Sequence, residues 1–199
     1  SGRATCRVSI KASVPPVMCG SSIPHYTLIF NGGRLDGERN LSTPGRNMAH
    51  PVDTISQTTQ DFVGINRILY DAVIQLHATR VLETGTDVGD STRLLSSALV
   101  QTGGKLWTVD TVLPKGDWFL TWPHKNINWI QTDSKTLLLE GELDLLFLDS
   151  DHAQAHVTAE LNQLGTKVRK GGRIALHDTL HDQFGQGILQ AIRAWVIPR

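Results

Sequence analysis

The stretch 80–92 constrains the fold of this chain more than any other. It reads Arg-Val-Leu-Glu-Thr-Gly-Thr-Asp-Val-Gly-Asp-Ser-Thr. A short apolar run, two glycines and then a helical apolar pattern predict a strand, a tight turn and a helix. Gly85 and Gly89 would let the backbone turn sharply and pass close to a ligand. We expect Asp90 or Ser91 to cap the helix, whose N-terminal N–H groups would point into a crevice.

The spacing within this stretch excludes two common nucleotide-binding loops. The dinucleotide fingerprint is Gly-x-Gly-x-x-Gly, whereas the pattern here is Glu-x-Gly-x-x-x-Gly-x-Ser. A P-loop would need Gly-Lys followed by Ser or Thr, and this does not occur. The pattern resembles the first motif of class I S-adenosylmethionine-dependent methyltransferases, in which an acid and glycines hold the methionine end of the cofactor. An ordinary strand-to-helix turn is the alternative.

Composition indicates one globular domain with an appendage. The chain has 199 residues, of which 40% are hydrophobic and 19% charged, and its formal net charge is zero. No apolar run approaches the roughly 20 residues that span a bilayer, and the neutral charge gives no bulk attraction for nucleic acid. Cys6 and Cys19 form no Cys-x-x-Cys motif, which favours free thiols over a disulfide. We therefore expect a cytoplasmic protein with neither a membrane nor a nucleic-acid partner.

The first part of the chain differs from the rest. Residues 1–47 are rich in Ser, Gly, Pro and Arg and contain no acid before Asp36. A strand-like pattern occurs only at 26–30, and no amphipathic helix pattern supports a transit peptide. We predict that 1–47 is a poorly ordered or accessory extension and that 48–199 is the ligand-binding domain.

Strand and helix patterns alternate after residue 51. Strands are predicted at 80–84, 105–110, 128–131, 143–148 and 173–176. Helices are predicted at 62–76, 91–101, 153–169 and 185–196. The segment 111–125, with its prolines and tryptophans, is predicted to be a loop whose aromatic rings either line a substrate pocket or cover the sheet. This alternation predicts an α/β fold with a doubly wound, mostly parallel sheet and right-handed crossovers.

Acids or histidines follow the ends of the predicted strands. They are Glu83, Asp110, Asp133, Asp149 and the pair His177-Asp178. Because ligands of open parallel sheets bind outside the carboxyl ends of the strands, we expect these side chains to share one crevice. Asp110 is suited to accept hydrogen bonds from ribose hydroxyls, and Asp133 with Ser134 follows the strand end where an adenine ring would lie.

Later motifs make the resemblance more specific. Four segments of the chain resemble motifs of one branch of the class I methyltransferases. This is the catechol O-methyltransferase-like and cephalosporin hydroxylase/macrolide O-methyltransferase-like branch. The segments are 82–91, Phe147-Leu-Asp-Ser-Asp-His152, Arg169-Lys-Gly-Gly172 and Ala175-Leu-His-Asp178. This resemblance covers 51–182 and implies a Rossmann-like methyltransferase fold. Such relatives continue past the last helix into an antiparallel strand pair, so we expect the sheet of this chain to lack those last strands.

The resemblance also implies a cofactor, a metal ion and a catalytic base. S-adenosylmethionine would be bound by Glu83, Gly85, Thr86, Gly89, Ser91, Asp110, Thr111, Asp133, Ser134 and Asp149. A Mg²⁺ ion would be held by Asp149, His177 and Asp178, where the imidazole of His177 is a poorer ligand than a carboxylate. His152 and Asp149 would be the catalytic residues, and the imidazole of His152 would take the proton of an acceptor hydroxyl.

These features together predict an S-adenosylmethionine-dependent O-methyltransferase. It would act on a hydroxyl of a small molecule or sugar with the help of Mg²⁺ or another divalent cation, and a homo-oligomer is compatible with the sequence. Two alternatives stay open. One is a catalytically inactive cofactor-binding module that acts as a partner or regulatory subunit. The other is a metal-dependent enzyme of another reaction class, such as hydroxylation or hydrolysis, on the same fold.

Two histidine patterns suggest other metal sites. His152 and His156 are spaced i, i+4, but the Glu of the metalloprotease motif is absent between them, and we predict that His156 lies on a helix surface. The pairs His177-Asp178 and His181-Asp182 superficially resemble those of histidine–aspartate phosphohydrolases. Those sites lie on helices of an all-α fold, whereas His177 ends a predicted strand.

Overall fold

Six strands form one sheet in the computed structural model, which describes residues 27–30, 60–179 and 185–196. The strands are β1 (Thr27–Phe30), β2 (Arg80–Thr84), β3 (Lys105–Asp110), β4 (Ile127–Gln131), β5 (Leu143–Leu148) and β6 (Val168–Leu176). The helices are α1 (Gln60–Leu76), α2 (Asp90–Thr102), α3 (Trp118–Thr121), α4 (Gln154–Gln163) and α5 (Gly185–Val196). Among these helices none is long and apolar enough to cross a membrane.

The spatial order of the strands is β1-β6-β5-β2-β3-β4. Strands β2 to β6 run parallel to one another, and only β1 is antiparallel to its neighbour. The predicted doubly wound, mostly parallel sheet is confirmed. The carboxyl ends of the five parallel strands meet at one edge, as this topology requires.

Strand β5 is apolar on both faces because helices cover both. Leu145 and Phe147 pack with residues of α1 and α2, whereas Leu146 and Leu148 pack with residues of α4 and α5. All four side chains are at most 4% exposed. This alternation of neighbouring residues between two cores is what a central strand of a doubly wound sheet needs, and it explains the nearly continuous apolar run.

Strand β1 comes from the segment that the sequence predicts to be an extension. Its backbone pairs with β6 from Thr27 opposite Leu176 to Phe30 opposite Arg173. Residues 27–30 of the strand-like pattern therefore belong to the sheet, where they cover the outer edge of β6. The rest of 1–47 lies outside the described residues, as do His181 and Asp182.

The predicted helix 153–169 and strand 173–176 have different boundaries in the structure. Helix α4 ends at Gln163, a 3₁₀ turn follows at Gly165–Lys167, and β6 begins at Val168. Strand β6 contains a bulge. Leu143 of β5 is opposite Val168, but Leu145 is opposite Arg173, so β6 has more residues than β5 between these two pairs. The predicted loop 111–125 contains one short helix, α3.

The turn between β2 and α2 is closed by backbone conformation. Gly89 is the N-cap residue in the left-handed region, at φ 78°, and no side chain caps the helix. The prediction that Asp90 or Ser91 caps α2 is therefore wrong. Asp90 instead begins the helix and forms an ion pair with Arg93 one turn later. At the other end, the predicted glycine stop is present, with Gly103 in the left-handed region at φ 72°.

Glu83 joins this turn to the sheet from inside the protein. Its side chain is fully buried, and Oε2 accepts hydrogen bonds from the hydroxyls of Thr92 at 2.5 Å and Thr108 at 2.7 Å. Burial raises the pKa of the Glu83 carboxyl to about 7, with a smaller contribution from the charge of Asp149, while the hydroxyls of Ser91, Thr92 and Thr108 act in the opposite direction. The carboxyl is thus poised to change charge near neutral pH.

Replacing Glu83 with Gln should remove a pH dependence from the stability of the cofactor-free protein. Because the folded pKa of about 7 lies above the ordinary 4.5, the stabilisation is complete below about pH 4.5 and is lost as pH rises through 7. This shift corresponds to about 3 kcal/mol. Urea denaturation should show that the wild type loses more unfolding free energy between about pH 5 and about pH 7.5 than Glu83→Gln does. The exposed Glu142→Gln is the control; parallel profiles for wild type and Glu83→Gln would contradict the shift.

Candidate active site

A cavity of about 410 Å³ opens at the carboxyl ends of the parallel strands. Its size lies in the range of small-molecule sites, roughly 300–1,000 Å³. Of the ten residues predicted to bind a cofactor, those that line it are Gly85, Asp110, Thr111, Asp133, Ser134 and Asp149. Those that do not line it are Glu83, Thr86, Gly89 and Ser91.

Gly85 brings two strand ends together below the cavity. Its φ is +83°, and a Cβ at this position would lie 2.1 Å from the backbone oxygen of Asp149. Asp149 N–H donates to the oxygen of Thr84 at 3.0 Å and fixes this contact, while Gly85 N–H donates to the oxygen of Val109 in β3 at 2.8 Å. Only glycine fits here, since any side chain would separate the end of β2 from the end of β5.

Gly89 has a different close neighbour. A Cβ on Gly89 would lie 2.0 Å from Cζ2 of Trp118, so the indole ring packs directly on the glycine turn. The guanidinium of Arg93 lies 5.4 Å from the centre of the same ring, at cation–π distance. Trp118 thus holds the loop after β3 against the start of α2.

Asp110 both lines the cavity and fixes the glycine turn. Its Oδ2 accepts hydrogen bonds from the backbone N–H groups of Thr86 at 2.9 Å and Asp87 at 3.1 Å, and Oδ1 accepts from Val112 N–H at 3.2 Å. Partial burial acts to raise the pKa of Asp110, but these backbone donors outweigh it and hold the pKa below its usual value. The side chain is therefore an anion that faces the cavity.

Four predicted residues form a cluster beside the cavity, which we call the histidine–aspartate cluster: Asp149, His152, His177 and Asp178. His177 Nδ1 lies 3.0 Å from Asp149 Oδ1 and 3.5 Å from Asp178 Oδ2. His152 Nε2 lies 3.5 Å from Asp178 Oδ2 and 3.8 Å from Asp149 Oδ1. Asp178, the second residue after β6, adopts a left-handed backbone at φ 51°. Because Asp149 also lines the cavity, the cluster and the cavity are adjacent.

Charges within the cluster are strongly coupled. Burial raises the pKa of Asp149, against the lowering effect of its hydrogen bond to His177. Burial acts to lower the pKa of His177, but the hydrogen bond and charge of Asp149 outweigh it, and the pKa is raised. Both shifts favour a proton held between Asp149 and His177.

The donor atoms of this cluster do not fit Mg²⁺. That ion prefers six oxygen ligands in a near-ideal octahedron and keeps several waters. Here ligand atoms of Asp149, His152 and His177 all lie within 4.8 Å of one another, and two of the three are imidazole nitrogens. The expected magnesium role of Asp149, His177 and Asp178 remains a prediction that this donor set disfavours.

His156 belongs to the site, and the prediction that it lies on a helix surface is wrong. Its side chain is only 12% exposed and lines the cavity. Nε2 lies 3.1 Å from the hydroxyl of Ser134 and 3.2 Å from that of Ser150, which donates to the buried carboxylate of Glu160 at 2.6 Å. A hydrogen bond to Glu160 raises the pKa of His156. The sequence signal that could have revealed this is Glu160, one helical turn after His156.

The aromatic residues after β3 form a separate hydrophobic region. Trp118 packs edge-to-face with Phe119, Trp122 and Trp129 at centroid distances of 6.2–6.3 Å. Trp122 also donates from Nε1 to the hydroxyl of Ser96 on α2, at 3.0 Å. These rings surround a second cavity, of about 320 Å³, which shares no lining residue with the first. They therefore cover one edge of the sheet, and the cavity between them does not adjoin the histidine–aspartate cluster.

Comparisons with known proteins agree with this architecture. A family model described as a methyltransferase domain matches residues 82–179. A methyltransferase of Podospora anserina, PaMTH1, solved with S-adenosylhomocysteine, is 17% identical, with 73% of each chain covered and a TM-score of 0.54. The cofactor-bound protein Rv0187 from MTB is 18% identical, with 71% of this chain and 72% of that chain covered and a TM-score of 0.56. The O-methyltransferase NovP is 16% identical, with 66% of this chain and 70% of that chain covered and a TM-score of 0.52.

No curated protein sequence matches the chain. At identities of 16–18% the similar structures establish the fold. The family model identifies the matched segment as a methyltransferase domain, and this segment contains the glycine turn and the whole histidine–aspartate cluster. Residues 82–179 are therefore a methyltransferase domain, and the chain has the Rossmann-like fold of the class I S-adenosylmethionine-dependent methyltransferases.

Proposed function

We propose that this enzyme transfers a methyl group to a hydroxyl of a small molecule or sugar, with His152 as the general base. The observation that carries the proposal is the position of His152 Nε2, 3.5 Å from Asp178 and 3.8 Å from Asp149, where Asp149 also lines the cavity. Oxygen is chosen as the acceptor atom because a similar structure, NovP, is named an O-methyltransferase.

The cavity suits S-adenosylmethionine in shape and charge. Gly85 has no side chain to fill its floor, and Asp110, Asp133 and Asp149 surround it with carboxylates. When bound, S-adenosylmethionine supplies a methyl group on a positively charged sulfur. Asp110 would accept hydrogen bonds from the ribose hydroxyls, and Asp133 with Ser134 would hold the adenine. Glu83, Thr86, Gly89 and Ser91 would act by holding the turn that carries Gly85.

The chemical work of the protein is to position the acceptor and remove its proton. Nε2 of His152 would take the proton of the acceptor hydroxyl, and the imidazolium that forms would be stabilised by the carboxylates of Asp178 and Asp149. Because methyl transfer is a displacement in line, the rate depends strongly on how well the acceptor oxygen is aligned. His152 precedes α4 and would perform both tasks from within the cluster, which adjoins the cavity through Asp149.

Replacing Asp110 with Ala should weaken cofactor binding by at least about tenfold, because both the ribose acceptor and the clamp on the glycine turn are lost. Calorimetric titration with S-adenosylhomocysteine measures this. The control is Asp117→Ala, an exposed residue outside the cavity, which should bind as the wild type does. Unchanged affinity in Asp110→Ala would sink the ribose assignment.

Replacing His152 with Ala should lower turnover by roughly 10²- to 10⁴-fold, the usual contribution of a general base. Affinity for S-adenosylhomocysteine should stay within about twofold, because His152 is not among the residues that line the cavity. Release of S-adenosylhomocysteine in a screen of hydroxyl-bearing acceptors provides the assay.

His124→Ala, near the second cavity, is the matched histidine control and should leave turnover unchanged. Equal losses of turnover in His152→Ala and His124→Ala would argue against a base at position 152. Cofactor binding with no transfer to any acceptor would favour the alternative of a binding module.

A further inference from the structure

We propose that the histidine–aspartate cluster binds a transition-metal cation of the Zn²⁺ and Co²⁺ type in preference to Mg²⁺. Two independent features of the cluster point to this choice: the chemical identity of its ligand atoms and the distances between them.

The ligand atoms are of mixed type. His177 offers Nδ1, His152 offers Nε2, and Asp149 offers Oδ1, all within 4.8 Å of one another. Imidazole nitrogen is a good ligand for Zn²⁺, Co²⁺ and their neighbours in the first transition row, whereas carboxylate and water are the ligands of Mg²⁺. A set with two nitrogens and one carboxylate therefore discriminates against the harder ion.

The distances match a small coordination sphere. Zn²⁺ binds nitrogen and oxygen ligands at about 2.0–2.2 Å, so neighbouring ligands of a tetrahedral site lie about 3.3–3.6 Å apart. In the cluster His177 Nδ1 and Asp149 Oδ1 are 3.0 Å apart, and His152 Nε2 and Asp149 Oδ1 are 3.8 Å apart. Asp178 Oδ2 lies 3.5 Å from both nitrogens and adds negative charge beside the site. Movements of a few tenths of an ångström would bring Asp149 Oδ1 to tetrahedral spacing from both nitrogens, which themselves lie within 4.8 Å of each other.

The backbone that carries these ligands is fixed. Asp149 N–H donates to Thr84 at 3.0 Å, and His177 N–H donates to Leu148 at 3.1 Å, so both strand ends are held in register. The ligand side chains are 20–24% exposed, which leaves a path for an ion while limiting competition from water. A preformed site of this kind binds without a large ordering cost.

Cation binding would also affect the proposed reaction. The lone pair of His152 Nε2 cannot both bind a cation and accept the proton of a hydroxyl, so Zn²⁺ should suppress methyl transfer. This consequence rests on the proposed function, whereas cation binding does not. The two can therefore fail separately, because binding is measured without any acceptor or methyl donor.

The test is a titration of chelator-treated, full-length protein with Co²⁺, followed by visible absorption, and with Zn²⁺ and Mg²⁺ by calorimetry. We expect an intense absorption typical of low-coordinate Co²⁺, which Zn²⁺ abolishes by displacement, and an affinity for Mg²⁺ at least about 100-fold weaker than for Zn²⁺. His177→Ala should lower the affinity for Zn²⁺ by at least about tenfold. His124→Ala is the matched histidine control and should retain the full Co²⁺ signal.

A second variant keeps the test decisive if His177→Ala folds poorly. His177→Asp replaces a nitrogen ligand with an oxygen ligand and should shift the preference towards Mg²⁺, raising Mg²⁺ affinity while lowering that for Zn²⁺. Circular dichroism confirms that each variant is folded. Mg²⁺ binding as tight as that of Zn²⁺ in the wild type, no cation binding at all, or Co²⁺ absorption that survives in folded His177→Ala would each overturn the proposal.

Discussion

The arrangement of the site depends on one close backbone contact, between Gly85 and Asp149. A Cβ on Gly85 would fall 2.1 Å from the oxygen of Asp149, so the ends of β2 and β5 can meet only because that side chain is absent. This contact sets Asp149 at the border of the cavity on one side and of the histidine–aspartate cluster on the other. The buried Glu83, two residues before Gly85 in β2, supports the contact by accepting hydrogen bonds from Thr92 and Thr108.

The sequence was sufficient for the features that depend on local pattern. Apolar runs and glycine stops predicted the parallel strands, and strand polarity predicted that Asp110, Asp149 and His177 lie at one edge of the sheet. Features that depend on distant partners were not predictable in this way. The predicted end of α4 was wrong because β6 begins earlier and bulges against β5. The predicted cap of α2 was wrong because Gly89 takes a left-handed conformation beneath Trp118.

His156 illustrates why the polar part of a site is harder to predict than its strands. In the helical pattern of α4, a histidine between Ala155 and Val157 suggests a solvent-facing residue. Its burial is explained only by Ser134, from the turn after β4, and by Ser150 and Glu160, which the fold brings to the same ring. Such a network depends on partners such as Ser134, which is distant from His156 in the sequence and reaches the ring only in the folded protein.

The pairing of β1 with β6 has a practical consequence for work with this protein. The composition change near residue 47 suggests a convenient truncation there, yet Thr27–Phe30 covers the outer edge of β6. Removing it would leave the backbone donors and acceptors along that side of β6 without their partners. An uncovered edge of this kind is a template for intermolecular strand addition, so the shortened protein would tend to aggregate.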